Sequence, residues 1–534
     1  LPLLAGAQGV LILLFLDGKS VWFERAERII LSVVCLGAFL GALLTLAEVS
    51  ALSVSGGSGV RLLEVIDWVP SLGLRYALGA TSISALFAVS ISFLFMLLFV
   101  WSNTTALNLC SLLLVEGAIF GVLFSQDLVL FYIFWELMLV PVFLLMIFGN
   151  GTRRFYAAYR FLLLTAVCAV WIISGLLYVS VLSVRQLGHY SFLLTDLTKL
   201  DISETAQILL CIGFIVAFLV KIPVFPLHTW LRDAQCESSW EGAVLFTAIL
   251  FQVGIFGLIT LIVPVFPLGW EVASPYLGAL GVFSIFYGGV LAYRETNLRA
   301  LVAYSSIAHL GLVTLGVAVY SVESLTGSVF HSIAHGISAA AVMFVIGTLG
   351  RRYGVINRDN GGNLAARTPL MSVVFFLILT GYLALPLTNG FIGELAIIVS
   401  VFSGYPFYTV LALLGILIGS VYVIQVFGSL FFGVPITDEH TVEESQEVDR
   451  IGFTRREWCA LLPLLILTFG LGVFPTPFLR MLRNTTDSLV VNYEIRLSSE
   501  HGRLLQEQSM RSALEEDESD ILSPISLNYS RYQK

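Results

Sequence analysis

Lys221 reads as a lysine in the middle of an apolar helix. Cys211 to Val220 carries no charge and runs directly into it, and Ile222-Pro223-Val224-Phe225-Pro226 follows. Lysine occurs at Lys19, Lys199, Lys221 and Lys534 only, so a surplus of surface lysine does not account for it. An ammonium at bilayer depth costs roughly 2.5–3.5 kcal/mol on insertion scales. A partner, or a proton or ion pathway, must compensate that cost; the plain alternative is a helix-end lysine snorkelling to the interface. Three glutamates sit in similar surroundings: Glu136 within Phe131–Pro141, Glu394 within Gly390–Val399, and Glu116 within Leu112–Phe120. A buried carboxylate balanced between desolvation and a facing cation can pass protons; the plain alternative for each is a glutamate facing headgroups. Histidines form a second set. His309 lies in Tyr304–Gly311, and His331 and His335 are spaced i,i+4 on one helical face. His228 follows Pro226. An i,i+4 pair can hold zinc, but no glutamate lies between these two and no third ligand is evident, so no metal is expected. Imidazole, which ordinarily titrates near neutrality, suits a proton relay; buried neutral histidines packing helix to helix are the alternative.

These residues need a scaffold, and composition defines it. Of 534 residues, 57% are hydrophobic and 12% charged, and mean hydropathy is +0.91. A soluble domain carries about 25% charged residues. Apolar runs near the ~20-residue length needed to span a bilayer recur to about residue 480. The spans must be helices, because a barrel strand is only ~10 residues long and alternates. The expected fold is all-α and polytopic, with about fourteen spans near 1–16, 28–48, 82–101, 107–124, 127–148, 156–183, 205–225, 241–263, 276–294, 300–319, 326–349, 370–403 (broken), 406–433 and 458–480. No cleavable signal peptide is expected, and the chain begins at Leu1 within an apolar segment. Residues 51–79, with Gly56-Gly57-Ser58-Gly59, read as an ordered extramembrane loop. The net charge of −8 gathers in Asp438–Asp449 and Glu515–Asp520. Residues after Arg483 read as a solvated tail with an amphipathic helix between Asp487 and Leu514.

Two spans are interrupted where they carry charge. One break is Lys221-Ile222-Pro223-Val224-Phe225-Pro226; the other runs from Leu383 through Pro386 and Gly390 to Glu394. Proline lacks a backbone donor and clashes with the preceding turn, so carbonyls are left open at membrane depth. Interrupted helices in two halves of a chain point to an inverted-repeat transporter core. The organisation expected is N-terminal helices and loop over 1–106, a first half over 107–263, a second over 276–433, an acidic loop and last span over 434–480, and a polar tail over 481–534. The six cysteines show no C-x-x-C spacing, so an iron–sulfur or metal site is not expected. No glycine-rich nucleotide fingerprint appears.

Several of these runs together resemble one family. Ser125-Gln126-Asp127 through Phe134-Trp135-Glu136 to Pro141, then Lys221-Ile-Pro-Val-Phe-Pro-Leu-His228-Thr-Trp230, Arg299-Ala-Leu-Val-Ala-Tyr-Ser-Ser-Ile-Ala-His309, and Ala384-Leu-Pro-Leu-Thr-Asn-Gly-Phe-Ile-Gly-Glu394 occur in that order. With Thr454-Arg-Arg-Glu457 before the last span, they are similar to chain 4 of respiratory complex I, the proton-pumping NADH:ubiquinone oxidoreductase. The resemblance covers roughly residues 60–480; the wider superfamily holds complex I chains 2 and 5 and sodium/proton antiporter subunits. It implies a core membrane subunit that translocates protons, driven by electron transfer from NADH to quinone in other subunits. No cofactor is then expected on this chain, with FMN and iron–sulfur clusters in other subunits. By motif, Glu136 and Lys221 are the ion pair of the first half-channel. His309 and His335 belong to a central hydrated axis, and Glu394 is the exit-side residue. Gln252, His331, Glu116 and His228 are candidate relay positions. The implied partners are the other membrane subunits, especially chains 2 and 5, and lipids such as cardiolipin; no nucleic acid is expected. The implied location is the mitochondrial inner membrane, or a bacterial plasma membrane. Thirty-nine phenylalanines against four lysines suit a compositionally biased organelle genome.

The chain departs from the family pattern in two places. Gln252, in Ile249-Leu-Phe-Gln252-Val-Gly254, stands where a lysine is usual, and Ala234-Gln235 stands where an Ala-His pair is usual. Glutamine carries no protonic charge but can hydrogen-bond a water chain. The expectation is that Gln252 lies between Lys221 and the histidines with its amide bonded to water or a polar side chain. Two alternatives follow: a structural membrane subunit with altered pumping, or an independent cation/proton antiporter subunit.

Overall fold

The computed structural model describes residues 21–54, 60–149, 151–354, 357–360, 364–433 and 453–529, with side chains described as far as residue 506. The expected first span at 1–16 and the acidic run Asp438–Asp449 lie outside the described residues. In hydrocarbon every backbone polar group must be satisfied within the protein, which selects helices here. The chain accordingly runs as α1 (Val21–Val54), α2 (Ser82–Trp101), α3 (Ala106–Phe124), α4 (Leu128–Leu137), α5 (Leu139–Ile147), α6 (Arg154–Leu187), α7 (Glu204–Lys221), α8 (Leu231–Glu237), α9 (Trp240–Val265), α10 (Pro267–Arg294), α11 (Leu298–Val319), α12 (Val322–Tyr353), α13 (Pro369–Tyr382), α14 (Asn389–Gly404), α15 (Pro406–Phe432), α16 (Arg455–Val473) and α17 (Thr476–Tyr529). Among the described residues twelve helices are long and apolar enough to cross a membrane, and α13 and α14 are two shorter apolar helices within the expected broken span at 370–403. The spans expected from residue 28 onward are thus all present, most within a few residues at each end.

Burial sorts the helices. The most apolar window of α12 is entirely buried, while α6 and α15 keep large apolar side chains such as Leu163, Leu177, Leu417 and Ile424 exposed. Those two lie on the outside of the bundle, and α12 lies at its centre. Helix starts follow the side chains available: Asp127 accepts from the Val129 and Leu130 amides at 2.9 and 3.1 Å, and Ser321 and Thr454 form capping boxes with Ser324 and Glu457.

Two regions differ from the sequence reading. The 51–79 segment is not purely irregular: Arg61–Val69 and Leu74–Ala80 pair antiparallel as a two-stranded sheet. The turn between them needs Gly73, whose φ is +66° and whose Cβ position would meet the Tyr190 carbonyl oxygen at 2.2 Å. Helical patterning missed the hairpin because its first strand is largely exposed and only the end of the second, at Ala77 and Ala80, is buried. The tail is a helix from Thr476, longer than the expected 487–514 and not simply solvated. It buries Leu482, Thr486 and Val490 at i,i+4 spacing. It crosses the end of the bundle where α12, α10 and α7 begin. Thr486 bonds Thr326 at 2.9 Å, Tyr493 packs on Tyr320, His501 reaches Glu271 at 2.9 Å, and Arg503 pairs with Asp201.

Candidate functional site

The lysine of the first break is held by a bend between α4 and α5. Their span bends at Met138, three residues before Pro141, which has no amide to donate to Leu137. The last four carbonyls of a helix lack intrahelical partners, and Trp135 is among them. Lys221, the last residue of α7, fills the gap: its Nζ donates to the Trp135 carbonyl at 3.1 Å and stands 3.7 Å from the centroid of the Trp135 ring. Lys221 is 2% exposed, so this carbonyl and π face replace most of its hydration. Glu136, the next residue, is only half-buried. Glu136 and Lys221, expected within hydrogen-bond or one-water distance of each other, make no direct contact: the bond that Nζ donates goes to the Trp135 carbonyl. The reason is local geometry, because the ammonium is already held by the residue next to Glu136. The two charges nevertheless remain close enough to act on each other. Beyond Lys221 the chain turns without helix until Leu231. Trp230 donates its indole N–H to the Val220 carbonyl at 2.8 Å, and the Phe225 amide donates to Ser284 at 3.1 Å. His228 contacts the Tyr287 hydroxyl at 3.2 Å. It sits on the far side of the break from Lys221.

Gln252 sits in α9 between two π-helical turns, Leu245–Ile249 and Leu258–Ile262. Such turns insert an extra residue and often mark functional positions. One face of α9 meets α7: a Cβ on Gly254 would touch Ile222, and one on Gly257 would touch Phe218. The other meets α12: the Gln252 Nε2 lies 2.6 Å from where a Gly336 Cβ would be, and Phe251 packs on His335 with centroids 5.4 Å apart. Gln252 is therefore between Lys221 and the histidines, fully buried. Its amide donates to its own helix at Ala248 (2.8 Å), and its Oε1 has no protein partner, so of the two expected partners, water or a neighbouring polar side chain, the side chain is absent among the described residues. Gln235 forms a second amide site nearby, exchanging hydrogen bonds with Thr247 at 2.7 and 3.0 Å.

The second break spans Leu383–Thr388, with Ala384 and Leu387 at positive φ, between α13 and α14. It places Glu394 in the first turns of α14, against α11 and α12. Glu394 Oε1 lies 3.5 Å from His309 Nδ1 and 3.9 Å from His331 Nε2. His309 and His335 rings are 5.0 Å apart, and Tyr382 packs on both. The i,i+4 pair thus divides: His331 turns to Glu394, and His335 turns to His309 and α9. Among the described residues, His309, His331 and Glu394 are the one group whose nitrogen and oxygen atoms all lie within 4.8 Å of one another, a spacing that fits a metal ion. Close approach here depends on Gly393, where a Cβ would meet His331 Cβ at 2.6 Å and its Cα at 2.7 Å. Gly393→Ala should force α14 away from α12, destabilising by roughly 1–3 kcal/mol. A thermal melt of the purified assembly, unchanged from the parent, would contradict that packing. Glu116 lies apart in α3, buried, with neither carboxylate oxygen hydrogen-bonded.

Sequence reasoning missed Trp135, which holds Lys221, and Tyr382 and Tyr422. Tyr422 of α15 bonds Ser305 one turn before His309. Adjacency to Glu136 was a usable signal for Trp135; nothing in the sequence marks the tyrosines, since aromatics are common on these helices.

Fold and site together define a class: a helical membrane protein with two interrupted helices and a buried line of ionisable and amide side chains between them. The family described as NADH:quinone oxidoreductase/Mrp antiporter, transmembrane region, matches residues 125–419, and the chain belongs to it. The match takes in every candidate residue except Glu116. Among relatives, NADH-quinone oxidoreductase subunit M of Pseudomonas aeruginosa is 34% identical, over 69% of this chain and 72% of that one. NAD(P)H-quinone oxidoreductase chain 4 1 of Synechococcus elongatus is 32% identical, over 82% of each. A chain in the structure of respiratory complex I from Thermus thermophilus with bound NADH is 27% identical with a TM-score of 0.79, covering 92% of this chain and 98% of that one. A chain of the Mrp complex from Dietzia shares the fold, at 20% identity and a TM-score of 0.76.

Proposed function

We infer that this chain is the chain 4 (subunit M) membrane subunit of an NADH:quinone oxidoreductase and that it moves protons across the membrane. Electron transfer in other subunits supplies the energy. The observation that carries the reading is the chain of contacts His335–His309–Glu394 at the second break, with rings 5.0 Å apart and then 3.5 Å from nitrogen to carboxylate, while buried Lys221 stands at the first break and buried Gln252 on the helix packed between α7 and α12. Lys221 holds a charge at the first break, with Glu136 beside it as its partner in the first half-channel. His335 and His309 pass the proton, a neutral imidazole being able to accept at one nitrogen and donate from the other. Glu394 is the exit-side acceptor, and the two halves, 107–263 and 276–433, are related by inversion. Gln252 holds water in line, and its unpartnered Oε1 is the group available to do so. FMN and iron–sulfur clusters belong to other subunits, with no redox centre on this chain. Its neighbours are the antiporter-like chains 2 and 5 with lipids such as cardiolipin at their seams, and the membrane is the mitochondrial inner one.

The test is the native assembly in sealed vesicles, where NADH oxidation by quinone should acidify or alkalinise the lumen only when the membrane is proton-tight. Co-migration of this chain with quinone-reducing activity separates the reading from an independent antiporter, which would exchange cations without NADH. A subunit with altered pumping is favoured by one observation, the neutral Gln252. Gln252→Leu keeps the volume and removes the amide, so under the pumping reading translocation should drop severalfold while assembly persists. Unchanged translocation would mean that the amide only fills space.

A further inference from the structure

We propose that His309, His331 and Glu394 form a binding site for a borderline divalent transition cation of the zinc class, and that an ion held there shuts the proton exit. The second part rests on the reading of Glu394 as the exit-side acceptor; the binding itself does not.

The site is assembled from three helices. His309 comes from α11, His331 from α12 and Glu394 from α14. Zinc takes nitrogen and oxygen ligands at about 2.0–2.2 Å, so neighbouring donors around a tetrahedral ion stand roughly 3.3–3.5 Å apart. The Glu394 oxygen already lies 3.5 Å from one imidazole nitrogen and 3.9 Å from the other. All three ligand atoms lie within 4.8 Å of one another, so side-chain rotations of the two imidazoles toward Glu394 bring them onto one ion. Two imidazoles and one carboxylate with a fourth position left over is the ligand pattern of open zinc sites. The ligand types exclude the hard cations, because magnesium and calcium prefer oxygen shells.

A second observation points the same way. His331 is 2% exposed, and neither of its ring nitrogens has a hydrogen-bond partner. A buried imidazole left unpaired forfeits hydrogen-bond energy, and a metal would take up the lone pair of its unprotonated nitrogen. The Tyr382 ring against His309 restrains that imidazole's orientation, as a supporting shell does at metal sites. Access exists as well. A cavity of about 30 Å³ opens beside His309 and Glu394, lined by Leu383, Gly415 and Tyr422. That is room for roughly one water, or a partly dehydrated ion in transit. An ion bound there occupies the lone pairs of His309 and Glu394 that a leaving proton would need. The adjacent His335 keeps no route past them.

The test uses the intact assembly, imaged by electron cryo-microscopy with zinc chloride and again with EDTA, alongside NADH-driven proton release from vesicles. The expected result is a zinc-dependent density bonded to all three side chains and an EDTA-reversible fall in proton release, with magnesium chloride producing neither. Glu394→Gln in an assembled complex should lose the density, while His335→Gln should keep it. Absence of density at the three side chains in the parent complex overturns the site, and leaves the proton-pumping reading standing. Density there with undiminished proton release overturns the block and removes Glu394 from the exit path, while the metal site stands.

Discussion

In Lys221→Met, coupled proton translocation should fall on the order of a hundredfold, the lower end for loss of a proton-transferring side chain, with the complex still assembled. Methionine matches the stem of lysine in length and apolar character, so the packing around α7 survives. Two things are lost. The Trp135 carbonyl forfeits the donor that Nζ supplies at 3.1 Å, which costs roughly 1–3 kcal/mol if no water replaces it. Glu136 loses the cation next to it, and with it the coupling that would let one charge move when the other does. The measurement is NADH-driven pH change in vesicles, with assembly followed on native gels. Normal translocation by the variant would remove Lys221 from the pathway. A companion change, Trp135→Phe, keeps the carbonyl and a weaker π face, and should cost far less than Lys221→Met. An equal loss would mean that the indole, not the ammonium, is the essential group.

The second large effect is expected at the other break. His309→Ala and Glu394→Gln should each lower translocation on the order of a hundredfold, and the double variant should be little worse than either alone. The two groups lie 3.5 Å apart, so a proton moving through one must find the other. Residues that act as a unit show non-additive losses, whereas independent sites multiply theirs. Because Gln252 carries no protonic charge, histidine must hold the charge that a lysine there would hold, which makes His309 more critical. In a Gln252→Lys background, His309→Ala should therefore be milder. A multiplicative double variant, or no relief from lysine at position 252, would show that His309 and Glu394 serve separate steps.

Much of this protein is legible in its sequence. Apolar runs of bilayer length give the spans, because hydrocarbon leaves the backbone no alternative to closing its own hydrogen bonds. The breaks at Lys221 and near Pro386 were visible from proline and glycine, which act locally on the backbone. The candidate ionisable residues stood out because charge among apolar neighbours is costly wherever it occurs. The hairpin at residues 61–80 and the extent of α17 were not legible, since both depend on what the chain packs against. The 482-486-490 stripe becomes a buried face only once α12 is there to receive it.

What the sequence by itself determined is the inventory: the helices, their interruptions, and which side chains carry charge or an amide at membrane depth. Tertiary structure alone decided the pairings. Lys221 reads as the partner of Glu136, yet its ammonium rests on the carbonyl and ring of Trp135, because a bent helix exposes that carbonyl at the right place. His331 and His335 read as one pair on one face, yet α14 draws the first toward Glu394 and α9 meets the second at Phe251. The physical reason is range. Hydrophobicity and proline geometry act along the chain within a few residues, whereas an imidazole's partner is set by which helix, more than sixty residues away here, stands within 4 Å of it.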